Sequence, residues 1–366
     1  MARDLRGLSQ AREVSWLEGV WTAQDTTPAE IEAALRELLS HQHQKSEAYV
    51  PARVLNLVVV ADREWRGEIQ NRLESVGRYH PSRTILCAVE QGRTTIDAYA
   101  TMTVQGDPRP GEIALCHEHV VLDIGPGHLP GIDTIVDPLV VTDLATLVWS
   151  PHRHEEAVDA LLKLSQVVLI DSVEEPDPAA ALRRARDLAR EAYVVDLAWL
   201  RSTPWRERIA ATFDPRQWRE ELGRLTSVCV RHRPDSAVAG VLLFGWLASR
   251  LGWSPGGLIA QNGSLHGRAG GRRQDVALKL EPDPGQNAPG LAGITVETAS
   301  GMTLSLDRGS GGLSARRRRP DGAESAWTLM GASRGEAGIL GEGIRQALLR
   351  DPTYRPSLEA AEAMLR

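Results

Sequence analysis

The run Arg53 to Val60, RVLNLVVV, constrains the fold of this chain more than any other segment. From Val54 onward it is almost continuously aliphatic and β-branched, without the polar alternation of a strand that has one wet face. Such a strand is buried on both sides, and that burial is the mark of a parallel sheet covered by helices. The flanking sequence supplies the rest of the unit. Glu64 to Val76 reads as a helix and Thr84 to Val89 as a second strand, which together make one βαβ crossover.

Upstream, Thr27-Pro28-Ala29-Glu30 forms a capping box with proline at the first helical position, followed by an apolar face at Ile31, Leu35, Leu38 and Leu39. Residues 1–26 have no clear period, and Trp16 and Trp21 suggest an arm that docks on something. Thr94 to Val104 and Glu112 to Ile124 read as two strands joined through Gly106-Asp107-Pro108, a turn signal. A helix to about Asp137 should follow Gly125-Pro126-Gly127, then a strand at Leu144 to Trp149. A helix at His154 to Leu164 and a strand at Val167 to Ile170 complete a second parallel unit.

The acidic, proline-bearing stretch Asp171 to Pro178 is the expected domain boundary. At 366 residues the chain exceeds a comfortable single core, so two domains are expected. These are an α/β domain over residues 1–172, with a mixed, mostly parallel sheet flanked by helices, and an α+β domain over residues 173–366. In the second, Asp177-Pro178 opens a helix, Arg224 to Val230 reads as a strand and Ala237 to Leu251 as a buried helix. Short strands run from about Leu258 to Met330, and helices near Leu340 to Leu348 and Leu358 to Leu365 close the chain.

Composition excludes several functions. A charge of −6 argues against a general nucleic-acid binder. The abundant, scattered arginines read as a coding bias, and the short run Arg316 to Arg319 as a solvated hairpin tip. Cys87, Cys116 and Cys229 are far apart and odd in number, as expected of free thiols in a reducing cytosol. No secretory leader is visible at the N-terminus. Ala237 to Ala248, the most apolar run, falls short of the ~18 residues that cross a bilayer. A soluble cytoplasmic protein is expected.

Chemistry-bearing motifs are few. In Cys116-His117-Glu118-His119, strand geometry sends His117 and His119 to one face, so two ligands converge where zinc needs three or four. His152 and His154 form a second pair. Neither implies a metal, and no cofactor is expected. Gly125 to Gly131 sits where a dinucleotide loop would sit, but its third glycine is one place late and Pro130, which has no N–H, occupies that position. No nucleophile elbow, P-loop, His-Glu-x-x-His or Cys-x-x-Cys occurs, and no catalytic residue is assigned.

The densest segment is Asp196 to Asp214, DLAWLRSTPWRERIAATFD. Thr203 and Pro204 read as N-cap and first helical residue. Trp205, Ile209, Thr212 and Phe213 then share one helical face. Trp and Arg are enriched where proteins grip partners, and a buried core helix would look the same. Both readings stand at this point.

This segment resembles the D-L-x-W-x-R-x-T-P-W-R segment of the glucose-6-phosphate dehydrogenase assembly protein OpcA family. Four further blocks resemble that family in the same order: RVLNLVVV, HPSRTI from His80 to Ile85, HLPGIDTIVDPLVVTDLATLVW from His128 to Trp149, and Asp351-Pro352-Thr353-Tyr354. In the third block Gly131 stands where a serine is usual, and Val148-Trp149-Ser150 where Trp-Trp-Pro is usual. The resemblance implies a non-catalytic protein that binds glucose-6-phosphate dehydrogenase and promotes its active oligomer. Trp199, Arg201, Thr203, Pro204, Trp205 and Arg206 are then the candidate partner-binding residues. The competing expectation is a sugar-phosphate or nucleotide binder that uses Gly125 to Gly131 with Arg83 nearby.

Overall fold

The protein is described from a computed structural model, which covers residues 14–15, 19–45, 49–51, 53–77, 81–105, 114–309, 311–330 and 335–366. Trp16, His80 and the Gly106-Asp107-Pro108 turn lie outside the described residues, as does the side chain of Cys116. The chain divides into two compact units, Met1–Val168 and Leu169–Arg366.

The first unit begins with two short strands, β1 (Val14–Ser15) and β2 (Val20–Ala23). Helix α1 (Pro28–Lys45) starts at the predicted capping box: Glu30 N–H donates to Thr27 Oγ1 at 3.3 Å, and Thr27 N–H donates to Glu30 Oε2 at 3.2 Å. Ile31, Leu35 and Leu38 on its inner face are fully buried. Next come β3 (Tyr49–Pro51), β4 (Leu55–Asp62), α2 (Arg66–Gly77), β5 (Ser82–Val89), β6 (Asp97–Gln105) and β7 (Ala114–Ile124). Then follow α3 (Ile132–Val136), β8 (Thr146–Trp149), α4 (Glu155–Leu161) and β9 (Val167–Ile170), the strand in which the boundary falls.

The strands of this unit lie in the order β1, β2, β6, β7, β5, β4, β8, β9, with β3 also beside β7. β4 runs parallel to β5 and β8, and β7 runs parallel to β5 and β3, while β6 is antiparallel to β7 and β2. The sheet is therefore mixed and mostly parallel, as the aliphatic run of β4 requires. Every residue of β4 except the last is buried.

One buried charge cluster locks the start of this sheet. Glu118 on β7 receives hydrogen bonds from Arg53 Nε (2.6 Å) and from Arg83 Nε (2.9 Å) and Nη2 (3.2 Å), and Arg83 Nη1 donates to Leu139 O at 2.9 Å. Burial pushes the Glu118 carboxyl upward, but the bonds from the two guanidiniums outweigh it, so it titrates below the ordinary range.

The second unit opens with α5 (Pro178–Glu191), whose N-cap Asp177 accepts from Ala179 and Ala180 N–H, then β10 (Tyr193–Asp196). Helices α6 (Leu197–Arg201), α7 (Thr203–Phe213) and α8 (Arg216–Arg219) lead to β11 (Leu225–His232) and α9 (Ala237–Leu251). Strands follow as β12 (Ser254–Pro255), β13 (Ile259–Gln261), β14 (Ser264–Gly270), β15 (Asp275–Pro282), β16 (Leu291–Thr298), β17 (Thr303–Gly309), β18 (Gly312–Arg318) and β19 (Glu324–Met330). Helices α10 (Gly335–Leu349) and α11 (Tyr354–Met364) complete it.

Its sheet runs β12, β14, β15, β11, β16, β17, β18, β19, with β13 on β14. The β11–β15 pair is parallel, and the neighbouring pairs from β14 to β19 are antiparallel. α9 is the unit's central helix, and α11 packs directly along it. A Cβ on Gly245 would sit 2.1 Å from Ser357 O, so only glycine permits that approach.

Candidate functional site

The Trp-Arg segment is a buried network. Asp196 ends β10 and caps α6, accepting from Ala198 N–H at 2.9 Å. The same carboxylate accepts from Ser172 N–H (3.1 Å), Ser172 Oγ (2.5 Å) and the Tyr354 hydroxyl (3.0 Å). One turn on, Trp199 Nε1 donates to Asp351 Oδ2 at 2.8 Å, and its ring meets Tyr354 with centroids 5.5 Å apart. The Arg206 guanidinium lies 3.5 Å from the centre of the Trp199 ring, a cation–π stack. It also donates to Ser202 Oγ at 3.1 Å and Thr203 Oγ1 at 2.9 Å. Arg201 grips Asp171 with two hydrogen bonds, of 2.8 and 2.6 Å.

The start of α7 departs from the sequence expectation. Thr203 is the first residue of α7 and not its N-cap; Ser202, already in helical geometry, occupies that place because α6 runs directly into α7. Ser202 Oγ donates back to Trp199 O at 2.7 Å and does not cap. The predicted face does hold, with Trp205, Ile209, Thr212 and Phe213 all buried. Of the six candidates, Trp199, Trp205, Arg201 and Arg206 are buried, and Thr203 and Pro204 are half-buried.

Thr203, Pro204 and Trp205 line a cavity of about 280 Å³ together with Leu200, Arg201 and Glu207. Arg308, Ile339 and Glu342 also line it, with the Arg308 guanidinium 5.9 Å from the centre of the Trp205 ring. The buried network thus fixes one wall of an open concavity lined by apolar side chains, Leu200, Trp205, Leu313 and Ile339 among them, and by the charged Arg201, Glu207, Arg308 and Glu342. Spacing alone did not single out Asp171, Ser172, Asp196, Asp351 and Tyr354 as partners of this segment. The one signal for two of them was the short block Asp351 to Tyr354.

Burial shapes the titration of this network. It pushes the Asp196 carboxyl up to about 6, against the pull of the Ser172 hydrogen bonds and with added repulsion from Asp171. The folded protein therefore holds this proton more tightly than an ordinary aspartate does. The stabilisation is complete below the ordinary value of 3.8 and is lost as pH rises through about 6. Urea unfolding between these limits should show wild-type stability falling relative to Asp196→Asn, and parallel curves would contradict this. Burial also lowers the Arg206 guanidinium to about 10, which leaves it charged at neutral pH.

The other sequence candidates do not assemble into sites. A Cβ on Gly125 would lie 1.7 Å from Arg93 O, so that glycine admits this chain's own backbone. Gly125 N–H is taken by His128 Nδ1 at 3.0 Å. Arg83, near the start of β5, pairs with Glu118 of β7, whereas Gly125 follows the far end of both strands, where Val89 pairs with Ile124. Arg83 is therefore not near the loop. Among the described residues no group of three His, Cys, Asp or Glu could hold a metal ion. Cys87 is buried and its thiol is pushed up to about 12 by burial; Cys229 is half-buried and raised to about 11 by burial and by its bond to Glu281. Neither is a thiolate at neutral pH.

Two family profiles match the chain. The glucose-6-phosphate dehydrogenase subunit N-terminal domain of OpcA covers residues 73–187, and the corresponding C-terminal domain covers residues 192–358. The chain belongs to the OpcA family. The segments that meet around Trp199 in this OpcA-family chain thus include two of the blocks that carried the resemblance.

The OxPP cycle protein OpcA of Synechococcus elongatus, a provisional name, is 27% identical over 201 residues, which are 54% of this chain and 45% of that protein. The Synechocystis protein of the same provisional name is 23% identical over 239 residues, 64% of this chain and 50% of its own length. The chain thus spans about half the length of these relatives. Among solved structures, a probable oxidoreductase, yhhX, aligns at a TM-score of 0.46 with 12% identity, over 85% of this chain and 94% of its own.

Proposed function

We propose that this OpcA-family protein is a non-catalytic partner of glucose-6-phosphate dehydrogenase that acts in the cytoplasm and promotes the enzyme's active oligomer. One observation carries the reading: Asp196 to Arg206 and Asp351 to Tyr354 meet in a single network that holds the wall of an open cavity. A rigid wall with a half-exposed Thr203-Pro204 rim and a buried Trp205 behind it suits recognition of a protein surface. Among the described residues no helix is long and apolar enough to cross a membrane.

Promotion of an oligomer requires tighter binding to the active assembly than to the inactive one, since only that difference shifts the population. A tenfold change in activity needs about 1.4 kcal/mol of difference. Dehydrogenase activity measured across enzyme dilutions, with and without this protein, tests the proposal. Activation should be greatest at low enzyme concentration. Glu207→Lys on the cavity rim should abolish it, whereas Glu64→Lys in the first unit should not. No rate change at any dilution, with no co-elution on a sizing column, would sink the proposal.

A further inference from the structure

A second cavity, of about 530 Å³, lies at the end of the second sheet where β11 and β15 begin. Its walls are the chain leading into β11, the last turn of α9 through Gly252, and the turn between β14 and β15. Four arginines line it, Arg219, Arg250, Arg272 and Arg273, against one carboxylate, Glu220. Asp275, the next acid along the turn, is outside the lining.

Pairing separates three of these arginines from several others in the unit. Arg231, Arg233 and Arg345 each hold a carboxylate, as does Arg219 through Asp214. Among the described residues, Arg250, Arg272 and Arg273 have neither an ion pair nor a hydrogen-bond acceptor. They are nonetheless gathered on one concave surface of a chain whose net charge is −6. Like charges gathered in this way repel one another, and a bound polyanion would reverse the sign of that interaction.

The surface is also built to hold its shape. Gln274 Nε2 donates to Arg224 O and Leu225 O at 2.8 and 2.9 Å, which ties the arginine-bearing turn to the start of β11. Gly271 N–H closes the turn onto Gln274 O at 3.1 Å. A Cβ on Gly252 would lie 3.8 Å from Arg272 Nη2, so this guanidinium rests against the end of α9, the turn that carries Arg250. The buried Trp253 forms part of the floor. A cation near the last carbonyls of a helix needs no ligand to explain it, but one arginine would serve that end and three are present.

We propose that this pocket binds a small anion carrying two or more phosphate groups, a nucleoside polyphosphate or a sugar bisphosphate. Guanidinium groups recognise phosphate through paired, charge-assisted hydrogen bonds. The cavity exceeds what one phosphate fills, and three guanidiniums without acidic partners suit more than one. The site lies apart from the Trp199 network and does not depend on the dehydrogenase.

Titration calorimetry of the full chain with inorganic pyrophosphate, at constant ionic strength and without dehydrogenase, tests the proposal. Saturable binding at one site is expected, weakened about tenfold by Arg272→Ala or Arg250→Ala. The double variant Arg316→Ala and Arg318→Ala, on the other basic run, should bind as wild type does. Tighter binding of ADP than of pyrophosphate would support a nucleotide, and tighter binding of a hexose bisphosphate a sugar. No saturable heat, or equal weakening in the Arg316 and Arg318 variant, would overturn the proposal. So would binding of a polyglutamate peptide that pyrophosphate does not displace, which would make the surface a protein contact. Each variant alters an exposed arginine, so melting temperatures should stay at the wild-type value.

Discussion

Trp199→Ala is expected to lower the unfolding free energy by about 3–5 kcal/mol, the usual cost of deleting a buried tryptophan. The side chain is 2% exposed and does three things at once. It packs against Tyr354, it carries the Arg206 guanidinium on its face, and it donates to Asp351. Alanine leaves a cavity and removes one of the bonds that hold the Asp351 carboxyl below its ordinary range. In a unit of this size each kcal/mol shifts the melting temperature by about 2–4 °C, so a fall of roughly 10 °C should be seen by circular dichroism. Trp199→Phe keeps much of the volume and loses the indole donor, and should fall between alanine and wild type. A Trp199→Ala protein that melts within about 2 °C of wild type would show that the residue is not part of the core.

Removing Asp171 should have an effect of the same size for a different reason. Both side chains of the Asp171–Arg201 pair are 7% exposed, so the pair is far from the screened surface regime. Asp171→Ala strips the bidentate partner from a buried guanidinium, and breaking such a pair costs about 3–5 kcal/mol. Replacing both members by apolar residues of similar size, Asp171→Leu with Arg201→Met, should recover most of that loss, because no charge is then left stranded. Urea unfolding of the two single variants and the double variant decides this. A loss below about 1 kcal/mol for Asp171→Ala would place the pair with exposed ones.

Local chemistry made much of the fold legible. The aliphatic run at β4, the capping box of α1, the Asp177-Pro178 start of α5 and the apolar span of α9 each depend on neighbours within a few residues. Ala237–Leu251 and Val167–Ile170 have in the structure the bounds that their apolar runs mark in the sequence. The site was less legible because its partners are remote. Nothing near Trp199 announces Asp351, and nothing near Arg201 identifies Asp171 as its counter-ion. The sequence showed two tryptophans and two arginines together but could not show that aspartates from elsewhere would bury them. The same holds for Arg250, Arg272 and Arg273, which read as compositional scatter until the β14–β15 turn brought them to one cavity. Arg83 is the opposite case: the sequence suggests a place near Gly125, whereas parallel pairing puts the two at opposite ends of their strands.

The bond from Trp199 to Asp351 spans 152 positions, and the one from Tyr354 to Asp196 spans 158. This sets an order in time. On a ribosome, α5, β10, α6 and α7 emerge long before two of their partners. Asp196 can bond to Ser172 and Ala198 at once but gains the Tyr354 hydroxyl only later, and the Trp199 indole gains its acceptor only when Asp351 has been made. The segment that looks most like a finished recognition motif is therefore among the last parts of the unit to acquire its native surroundings. Any partner that reads the Thr203-Pro204 rim would meet it fully formed only on chains completed through α11, so that binding would also certify that the unit has closed.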